Sequence, residues 1–281
     1  MRAVVVLYCC DLEQSETLVS LQQLSGQSKS KIALEIYDNS PNEIKDDVTR
    51  RFAEFKSVLY IHRADNPGIA VAYNDALERS VADGEKWLLL LDQDSTLTER
   101  LIDNYFKTIA QVSDNGDVVA VLPDVVTLHG TLIVPVKVSS FWGRYSLFLS
   151  KDQIVDSEVR TINSGSLLRV TFLNEINGFN EEFHLDCLDH WIFRMIFIRH
   201  KRVFLTHDNL IHDLSISNMK NYVTSTRYKD ILRKERLFYT KYTNLPCYIN
   251  YKFELCKRLK RQIRHVKDKK ISWMTFIALF K

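Results

Sequence analysis

The stretch Trp87-Leu88-Leu89-Leu90-Leu91-Asp92-Gln93-Asp94-Ser95 runs five apolar residues into two acids that are spaced one residue apart. An unbroken apolar run of this length predicts a strand buried on both faces, the usual state in a parallel sheet. Ligands of open α/β sheets bind beyond the carboxyl ends of such strands. If the backbone stays extended, Asp92 and Asp94 point to the same side, and their oxygens can hold a divalent cation, which in turn can hold a diphosphate.

Helix capping is a second interpretation of these acids. Asp94 or Ser95 could cap a helix over Thr96–Ile109, because short polar side chains at this position accept hydrogen bonds from free helix amides. A helix cap needs only one acid, so capping does not explain why two acids follow a wholly apolar strand. We therefore favour a cation site.

Strand and helix patterns alternate in the first hundred residues. The strand patterns are Ala3–Tyr8, Ile32–Tyr37 and Val58–Ile61, and the helix patterns are Leu12–Leu24, Val48–Phe55 and Ile69–Val81. This alternation predicts an α/β fold with a doubly wound, mostly parallel sheet. The carboxyl ends of parallel strands share one edge, so we expect Asp38, the 62–68 loop and the two acids to line a single cleft.

The pattern is less regular after the first hundred residues. Residues 118–138 are strand-like, and residues 139–160 are aromatic and polar without a period, which we interpret as loop or edge structure. Small polar residues at 161–166 lead into a buried strand. The later patterns are a helix over Trp191–His200, strands at Val203–Leu205 and Leu210–Asp213, and a helix over Tyr228–Tyr242.

Composition and absent motifs exclude several classes of protein. The chain has 281 residues, 46% hydrophobic and 26% charged, which suits one large α/β domain with or without an appendage. It has neither a Gly-x-Gly-x-x-Gly motif after the first strand nor a P-loop, which counts against dinucleotide and P-loop enzymes. Five cysteines without a Cys-x-x-Cys pair favour a reducing cytoplasm. No apolar run reaches the roughly 18–20 residues that span a bilayer, and Ala3–Leu7 is too short for a signal peptide.

The C-terminal segment is strongly basic. Residues 252–281 carry ten Lys or Arg against two acids, so this segment is +8 and the rest of the chain is −5. Such local charge is typical of a docking surface and not of a nucleic-acid-binding domain. Apolar residues recur every three or four positions from Phe253 to Val266, and Ile271–Phe280 is apolar but short. We predict helices that lie on an anionic membrane surface; the alternative is an oligomerisation helix, as in a homodimer, or a cap packed on the domain.

Several short motifs occur along the chain in a specific order. They are Val4–Cys10, Asp38-Asn39-Ser40, Asn66-Pro67-Gly68-Ile69-Ala70 with Ala72 and Asn74, Leu91–Ser95, Asn163-Ser164-Gly165-Ser166, and Gly178-Phe179-Asn180-Glu181 followed by Asp186, Asp189 and Trp191. In this order and spacing, residues 3–240 resemble glycosyltransferase family 2, the inverting GT-A nucleotide-sugar transferases, and in particular its bacterial rhamnosyltransferase-like branch.

The resemblance implies a fold and a domain organisation. The fold is the GT-A fold, a single Rossmann-like mixed sheet flanked by helices. Residues 1–110 would bind the nucleotide sugar and residues 111–240 the acceptor. A basic, amphipathic helical tail over residues 241–281 would follow.

The resemblance also implies roles for single residues. Asp94 would be the main ligand of Mg²⁺ or Mn²⁺, with His212 beside it, and Asp189 would be the general base, with Asp186 as a rival. The implied donor-binding residues are Tyr8, Asp38, Arg63, Asn66, Gly68, Asn74, Asp92 and Gln93. The implied acceptor- or diphosphate-binding residues are Ser164, Gly165, Asp186, Trp191 and Arg233.

The residues themselves leave structural alternatives open. Asp38 could only form the turn before Pro41, and Asn66 and Gly68 could only serve a tight turn. Arg227, Arg233 and Arg236, in the helix-like stretch around Tyr228–Tyr242, could reach the diphosphate or could decorate a solvated face. His190 stands where many members of the family carry a smaller or acidic residue.

The function that the resemblance implies is inverting, metal-dependent transfer of a sugar from a nucleotide donor to a saccharide. The first guess is L-rhamnose from dTDP-rhamnose, with a lipid-linked acceptor in bacterial O-antigen or capsule synthesis. The protein would be cytoplasmic and peripheral on the inner face of the cell membrane. The alternatives are transfer of another sugar from a UDP-sugar and a catalytically inactive GT-A sugar-binding module. A nucleotidyltransferase is disfavoured, because Tyr8–Glu13 lacks the Gly-rich basic loop that it would need.

Overall fold

A mixed β-sheet with helices on both faces forms the main body of the protein. The computed structural model describes residues 1–139, 141–146, 154–212, 224–266 and 268–280. The strands are β1 Arg2–Leu7, β2 Ala33–Asp38, β3 Ser57–His62, β4 Trp87–Asp92, β5 Ser95–Thr96, β6 Val118–Val126, β7 Leu132–Val134, β8 Val136–Val138, β9 Tyr145–Ser146, β10 Ile154–Val155, β11 Val159–Arg160, β12 Leu167–Arg169 and β13 Arg202–His212. The helices are α1 Glu16–Gln22, α2 Gly26–Lys29, α3 Val48–Arg51, α4 Ile69–Ala82, α5 Glu99–Gln111, α6 Val170–Glu175, α7 Leu188–Ile198, α8 Ser225–Lys241, α9 Leu245–His265 and α10 Lys269–Phe280.

The main sheet confirms the predicted α/β fold. Its strand order is β10-β13-β6-β12-β4-β1-β2-β3, and β5 and β7 pair beside it with β13 and β6. Strands β4, β1, β2 and β3 are parallel, β6 is parallel to β13, and β12 runs antiparallel between β4 and β6. A second sheet has the order β11-β8-β9. The sheet is therefore mixed, as expected: four pairings of its described strands are parallel and five are antiparallel.

Strand β4 is buried on both faces, as its lack of alternation predicted. Leu88 and Leu90 pack with α4, α6 and α7, and Leu89 and Leu91 pack with α1 and α5 on the other face. All four leucines are fully buried. Successive side chains of a strand point to opposite faces, so a strand between two core layers needs an apolar residue at every position. Each leucine contributes about 1.5–3 kcal/mol by this burial.

The helix after the two acids begins later than the predicted Thr96. Ser95 and Thr96 form β5, which pairs antiparallel with the end of β13. Helix α5 begins at Glu99, and the side chain of Thr98 caps it by accepting the Leu101 amide at 3.2 Å. The capping interpretation of the acids is therefore wrong, because the cap lies three residues beyond Ser95.

The two short strands predicted near Val203 and Leu210 are one continuous strand, β13. His207 has a φ of +56°, and the register of β13 against β6 shifts between Leu205 and Asn209. This irregularity interrupts the apolar pattern, which explains why the sequence predicts two strands. Beyond it, β13 reaches β5 and places His212 opposite Ser95. Asp213, the last residue of the predicted strand, lies outside the described residues.

The region predicted as loop or edge structure contains short strands. Within residues 139–160 the structure has β9, β10 and β11, and β10 forms one edge of the main sheet. Residues 140 and 147–153 lie outside the described part of the chain. The segment ends at Arg160, directly before the small polar residues that lead into β12.

The basic tail is helical and packed. Helices α8, α9 and α10 enclose an apolar cluster that is separate from the two core layers around β4. It is formed by Tyr228, Leu232, Tyr251, Leu255 and Ile271. Helix α8 also joins the main core through Phe238. The tail is thus attached to the domain through α8, as the alternative of a packed cap predicted. Among the described helices, none combines the length and the apolar character needed to cross a membrane.

Candidate active site

Asp92, Asp94 and His212 lie together at the carboxyl edge of the sheet. One possible ligand atom from each, two carboxylate oxygens and a ring nitrogen, lies within 4.8 Å of the others. Nδ1 of His212 is 3.7 Å from Oδ1 of Asp94. The acids come from the end of β4 and the histidine from the end of β13, and the β5–β13 pairing brings them together. The structure therefore unites the two predicted metal ligands with Asp92.

The charge of Asp92 is disfavoured where it stands. Burial, the largest cause, raises the pKa of Asp92 from 3.8 to about 6; His212 lowers it, and the charge of Asp94 raises it. The hydroxyl of Tyr73 lies 3.4 Å from Oδ1 of Asp92 and also lowers the pKa of Asp92, whereas the charge of Asp189 raises that pKa. A cation beside a carboxylate favours the ionised form, so this site is electrostatically suited to one.

Two serine hydroxyls connect the acids to the histidine. Oγ of Ser164 accepts the backbone N–H of Asp92 at 2.9 Å and lies 2.7 Å from Oγ of Ser95. Oγ of Ser95 lies 2.8 Å from Nδ1 of His212. Both serines are buried. Ser164, which was predicted to bind the diphosphate, therefore binds the backbone of Asp92 and the side chain of Ser95 and so holds the cation site in place.

The side chains present fit a divalent cation. Carboxylate oxygens are the ligands that Mg²⁺ and Mn²⁺ prefer, and Mn²⁺ also accepts imidazole nitrogen. When Nδ1–H of His212 donates to Ser95, the ring keeps a lone pair on Nε2, and a partner of this kind fixes the tautomer of a histidine ligand. Asp92, Asp94 and His212 are thus the residues that would hold Mg²⁺ or Mn²⁺.

Helix α1 holds the turn between the two acids. Oγ1 of Thr17 accepts the backbone N–H of Ser95 and donates to its carbonyl oxygen, both at 2.9 Å, and it also contacts the carbonyl oxygen of Asp92. Oγ of Ser15 donates to the carbonyl oxygen of Gln93 at 2.9 Å. Sequence analysis missed Ser15 and Thr17. The signal was a pair of small hydroxyl residues at the start of the predicted first helix.

Asp38 ends β2 with its carboxylate bonded inside the fold. Oδ1 accepts the backbone N–H of Ser40 at 2.9 Å, and Oδ2 accepts the hydroxyl of Tyr60 at 2.8 Å. Oγ of Ser40 in turn accepts the backbone N–H of Cys9 at 2.8 Å. Asp38 is fully buried and ties together the ends of β1, β2 and β3. This is the turn-forming role that the sequence left open, and its contact with a nucleoside stays a prediction.

Two other predicted donor residues meet at the end of β1. Tyr8 is exposed, and its backbone N–H donates to Oε1 of Gln93 at 2.8 Å. Arg63 instead forms two hydrogen bonds with Asp65, at 2.8 and 2.9 Å, in its own loop. Asn66 follows with a φ of +45°, which fits a tight turn. The structure thus brings Tyr8 and Gln93 next to the acids. Arg63 is bound by Asp65 in its own loop and by Tyr37 of β2, to whose hydroxyl its Nη1 donates at 3.4 Å.

Gly68 and Asn74 hold the segment that leads to the predicted base. Gly68 has a φ of +96°, and a Cβ there would lie 2.4 Å from the carbonyl oxygen of His184. The side chain of Asn74 donates to the carbonyl oxygen of Phe179 at 3.0 Å and accepts its N–H at 2.7 Å. Both residues were predicted to bind the donor. Their contacts fasten residues 178–184 onto the start of α4.

Asp186 and Asp189, the two candidate bases, have different environments. Burial raises the pKa of Asp186, and Arg227, whose Nη2 is 3.5 Å away, opposes the rise. Burial also acts to raise the pKa of Asp189, but His190 and the charge of Arg160 outweigh it and lower that pKa below 3.8. Asp189 lies in the first turn of α7, where the helix dipole favours an ionised carboxylate. The lowered pKa keeps Asp189 ionised, as a proton acceptor must be, and its role as the base stays a prediction.

Two predicted acceptor residues lie in the interior. Trp191 packs in the main core, and its indole N–H has no hydrogen-bond partner among the described residues. Gly165 has a φ of +79°, and a Cβ there would lie 2.5 Å from Leu210. Gly165 is therefore needed for close packing beside β13. Contact of either residue with an acceptor stays a prediction.

Arg227, and not Arg233, approaches Asp186, one of the two candidate bases. Arg233 is 69% exposed and pairs with Asp230 on its own helix at 2.7 Å. Arg227 begins the same helix and reaches Asp186. The sequence pattern could not separate these arginines, because both lie on a helix whose contacts depend on how it docks.

Arg160 is a buried residue that sequence analysis missed. Its guanidinium lies 5.1 Å from the ring centroid of Phe238 and 3.8 Å from Glu158. Its Nε and Nη1 have no hydrogen-bond partner within the described ranges. Its positive charge lowers the pKa of Asp189. The period-free sequence around it carried no signal of burial.

Solved structures of TarS from S. aureus share this fold. One matches with a TM-score of 0.58 at 13% identity, over 93% of this chain and 43% of that chain. A structure of TarS 1–349 in complex with UDP-GlcNAc matches with a TM-score of 0.54 at 14% identity, over 95% of this chain and 74% of that chain. This chain therefore spans less than half of the longer TarS chain. The likeness shows that this chain has the GT-A fold.

A family match identifies the class further. The family model for Glycosyl transferase family 2 matches residues 13–176, more than half of the chain. No curated protein matches the sequence. The chain belongs to glycosyl transferase family 2, and the predicted family is confirmed. The matched region includes the acid pair and Ser164, whereas Asp189 and His212 lie beyond it.

Proposed function

We propose that this chain transfers a sugar from a nucleotide-sugar donor to a hydroxyl group of a saccharide, with inversion at the anomeric carbon. Asp92, Asp94 and His212 would hold the donor diphosphate through a cation, and Asp189 would act as the base. One observation carries the proposal: Asp92, Asp94 and His212 each place a possible ligand atom within 4.8 Å of the others at the carboxyl edge of the sheet. A single displacement needs such a cation site for the leaving diphosphate and a base for the attacking hydroxyl, the role that we propose for Asp189.

The bond changes assign a task to each side of the cleft. The acceptor oxygen forms a bond to the anomeric carbon while the bond from that carbon to the diphosphate oxygen breaks. The electron pair leaves with the nucleoside diphosphate, and the hydroxyl proton passes to Asp189. Mg²⁺ or Mn²⁺, when bound, supplies Lewis-acid stabilisation of the leaving diphosphate. Tyr8 and Gln93, which lie at the same edge, would contact the donor.

The donor that we propose is a dTDP- or UDP-sugar. L-Rhamnose from dTDP-rhamnose is the first candidate and rests on the sequence resemblance. TarS, which has the same fold, has been solved with UDP and with UDP-GlcNAc. This supports a UDP-sugar as the second candidate.

A donor panel tests the proposal. The protein is incubated with dTDP-, UDP- and GDP-sugars, with Mg²⁺, Mn²⁺ or EDTA, and nucleotide release is measured with and without saccharide acceptors. We expect release from one pyrimidine nucleotide sugar, only with a cation and fastest with an acceptor. Donor binding without release under any condition would favour an inactive sugar-binding module. If the protein shows no donor binding and no nucleotide release, both assignments are contradicted.

The last helix turns an apolar face outward. Thr275 of α10 is buried and lies 2.6 Å from Gln262 and 2.7 Å from Tyr228. Ile271 packs in the apolar cluster with α8 and α9, so both residues lie on the inward face of α10. The outward face, at spacings of three and four residues, is Trp273, Phe276, Ile277 and Phe280. Lys269 and Lys270 are exposed at the start of the same helix.

We propose that this aromatic face docks on an anionic membrane surface. Aromatic side chains favour the membrane interface, and basic residues nearby are attracted to anionic lipid. The +8 charge of residues 252–281 supplies that attraction. Docking would bring the cleft to an acceptor carried on a lipid diphosphate, at the inner face of the cell membrane, in cell-surface polysaccharide synthesis.

Vesicle binding tests the docking proposal. The variant carries Trp273→Ser and Phe276→Ser; Leu128→Ser, at a residue that is 70% exposed between β6 and β7, is the matched control. We expect the double variant, but not the control, to lose co-sedimentation with vesicles that contain phosphatidylglycerol at low salt. Unchanged sedimentation of the double variant would contradict docking. A loss of dimer in the double variant would assign the face to a homodimer instead.

A further inference from the structure

His190 is bonded to the acid that we propose as the base. Oδ1 of Asp189 accepts the backbone N–H of His190 at 2.6 Å and lies 2.7 Å from Nδ1 of its ring. Within the described ranges, no hydrogen bond engages Oδ2 of Asp189. One oxygen of the carboxylate is therefore occupied and the other is free.

Helix α8 fixes the ring of His190 from the other side. The imidazole meets the buried ring of Phe238 edge-on, with centroids 5.6 Å apart and an interplanar angle of 87°. The guanidinium of Arg160 also packs on Phe238, at 5.1 Å from its centroid. The imidazole is thus packed on one side and hydrogen-bonded on the other. Its orientation depends on the docking of α8 and not only on its place next to Asp189.

We propose that His190 is a positioning residue for the base: it occupies Oδ1 of Asp189 and leaves Oδ2 as the atom that takes the acceptor proton. This inference deepens the proposed function and rests on it. A free carboxylate can rotate about its Cβ–Cγ bond, and holding one oxygen directs the other. A reacting group that is held in the productive geometry before the reaction lowers the entropy cost of the step.

The titratable groups around the pair keep Asp189 ionised. Those that face it are Arg160 of β11, Asp186 and Cys187 ahead of α7, Asp92 of β4 and Tyr73 of α4. Burial and the neighbouring acids act against ionisation, but His190 and the charge of Arg160 lower the pKa of Asp189 overall. The base is therefore in its proton-accepting form at neutral pH.

The proton takes a defined path in this arrangement. As the acceptor oxygen bonds to the anomeric carbon and the diphosphate leaves with its electron pair, the hydroxyl proton moves to Oδ2 of Asp189. The Nδ1–H of His190 donates to Oδ1 before and after the step, so His190 neither gains nor loses a proton. In the opposite arrangement Nε2 of His190 would take the proton and Asp189 would only orient the ring.

Substitutions of His190 separate these arrangements. His190→Asn keeps an N–H donor near the position of Nδ1, whereas His190→Leu removes the donor. We expect the Leu variant to lower kcat about 10- to 100-fold with little change in KM, and the Asn variant to stay within about threefold of the wild type. The acid limb of the pH profile should move to higher pH in the Leu variant, because the bonds that favour the ionised carboxylate are lost. His190 is 30% exposed, and thermal unfolding of each variant checks the fold.

Two results would overturn the inference. An Asn variant as slow as the Leu variant would show that the imidazole itself transfers the proton. A Leu variant as active as the wild type, with an unchanged pH profile, would show that His190 does not position the base. If the Leu variant does not fold, His190→Gln, whose amide is one carbon too long for the Nδ1 position, takes its place. Full activity of Asp189→Asn would instead contradict the proposed function, so the two failures are distinguishable.

Discussion

Gly68 accepts no side chain, for two separate reasons. Its φ of +96° is rarely adopted by other residues, and the carbonyl oxygen of His184 occupies the place of a Cβ. The backbone N–H of Ile69 donates to the same oxygen at 2.7 Å. At Gly68 the 62–68 loop touches the segment that leads to Asp189. A residue that the sequence allowed to be a simple turn-former therefore joins two segments that are distant in the chain.

Gly68→Ala should be more destabilising than Gly84→Ala. Gly84 also has a positive φ, of +69°, but nothing lies within 4 Å of its Cβ position, so this control variant carries the backbone strain alone. The contact with His184 should add about 1–3 kcal/mol to the loss in the free energy of unfolding. Urea unfolding of both variants measures the difference. An equal loss in the free energy of unfolding for the two variants would mean that the segment around His184 shifts without an energetic cost.

Helix α1 shows how an element positions chemistry without taking part in it. Its apolar residues Leu18 and Leu21 pack under the sheet, while Ser15 and Thr17 bind the turn between the two acids. Periodicity predicted the helix, because apolar spacing is a local property. The target of its hydroxyl groups depends on how β4 and α1 pack, which local spacing does not contain.

Thr17→Val should weaken both the fold and cation binding. Valine has nearly the same shape but leaves the buried backbone N–H of Ser95 without its partner, at a cost of about 1–3 kcal/mol. Thr108→Val is the matched control, because Thr108 is also buried and no side-chain hydrogen bond of it occurs in the described structure. Calorimetric titration with Mn²⁺ should show weaker binding for the Thr17 variant only. Equal affinities in the two variants would contradict a positioning role for α1.

At the scale of the whole molecule, the proposed reaction uses two separate parts of the chain. The cation site combines the end of β4 with the end of β13, and the candidate base lies on α7. Residues 178–184, held by Gly68 and Asn74, connect the two parts. Loss of one part should therefore leave the other able to do its own task.

Asp94→Ala and Asp189→Asn should both abolish transfer, but with different effects on binding. Each should lower kcat by at least about 10²-fold, since one removes leaving-group stabilisation and the other removes the base. Only Asp94→Ala should weaken cation-dependent donor binding, measured by calorimetry with the nucleotide sugar and Mn²⁺. Asp114→Asn, at an exposed position, is the control. Weak donor binding in Asp189→Asn as well would contradict the division of tasks.

A large part of the fold could be predicted from the sequence. The unbroken apolar run of β4, the alternation of strands and helices and the apolar spacing of α9 all depend on residues close together in the chain. The predictions that were wrong involved pairing between distant segments. The pairing of β5 with β13 moves the start of α5 to Glu99, and β13, predicted as two strands, is one strand with an irregularity in its middle.

The α/β sheet, the acid pair at its edge and the family to which the chain belongs follow from the sequence alone. The tertiary structure was needed to show that Ser95 and Ser164 connect the acids to His212, that Arg227 and not Arg233 reaches Asp186, and that the carboxylate of Asp38 is bonded inside the fold. The difference between the two sets is the distance along the chain over which the interactions act. Burial patterns repeat every two or every 3.6 residues and are visible locally, whereas a hydrogen bond between side chains depends on strand register and helix docking, which the whole chain determines together.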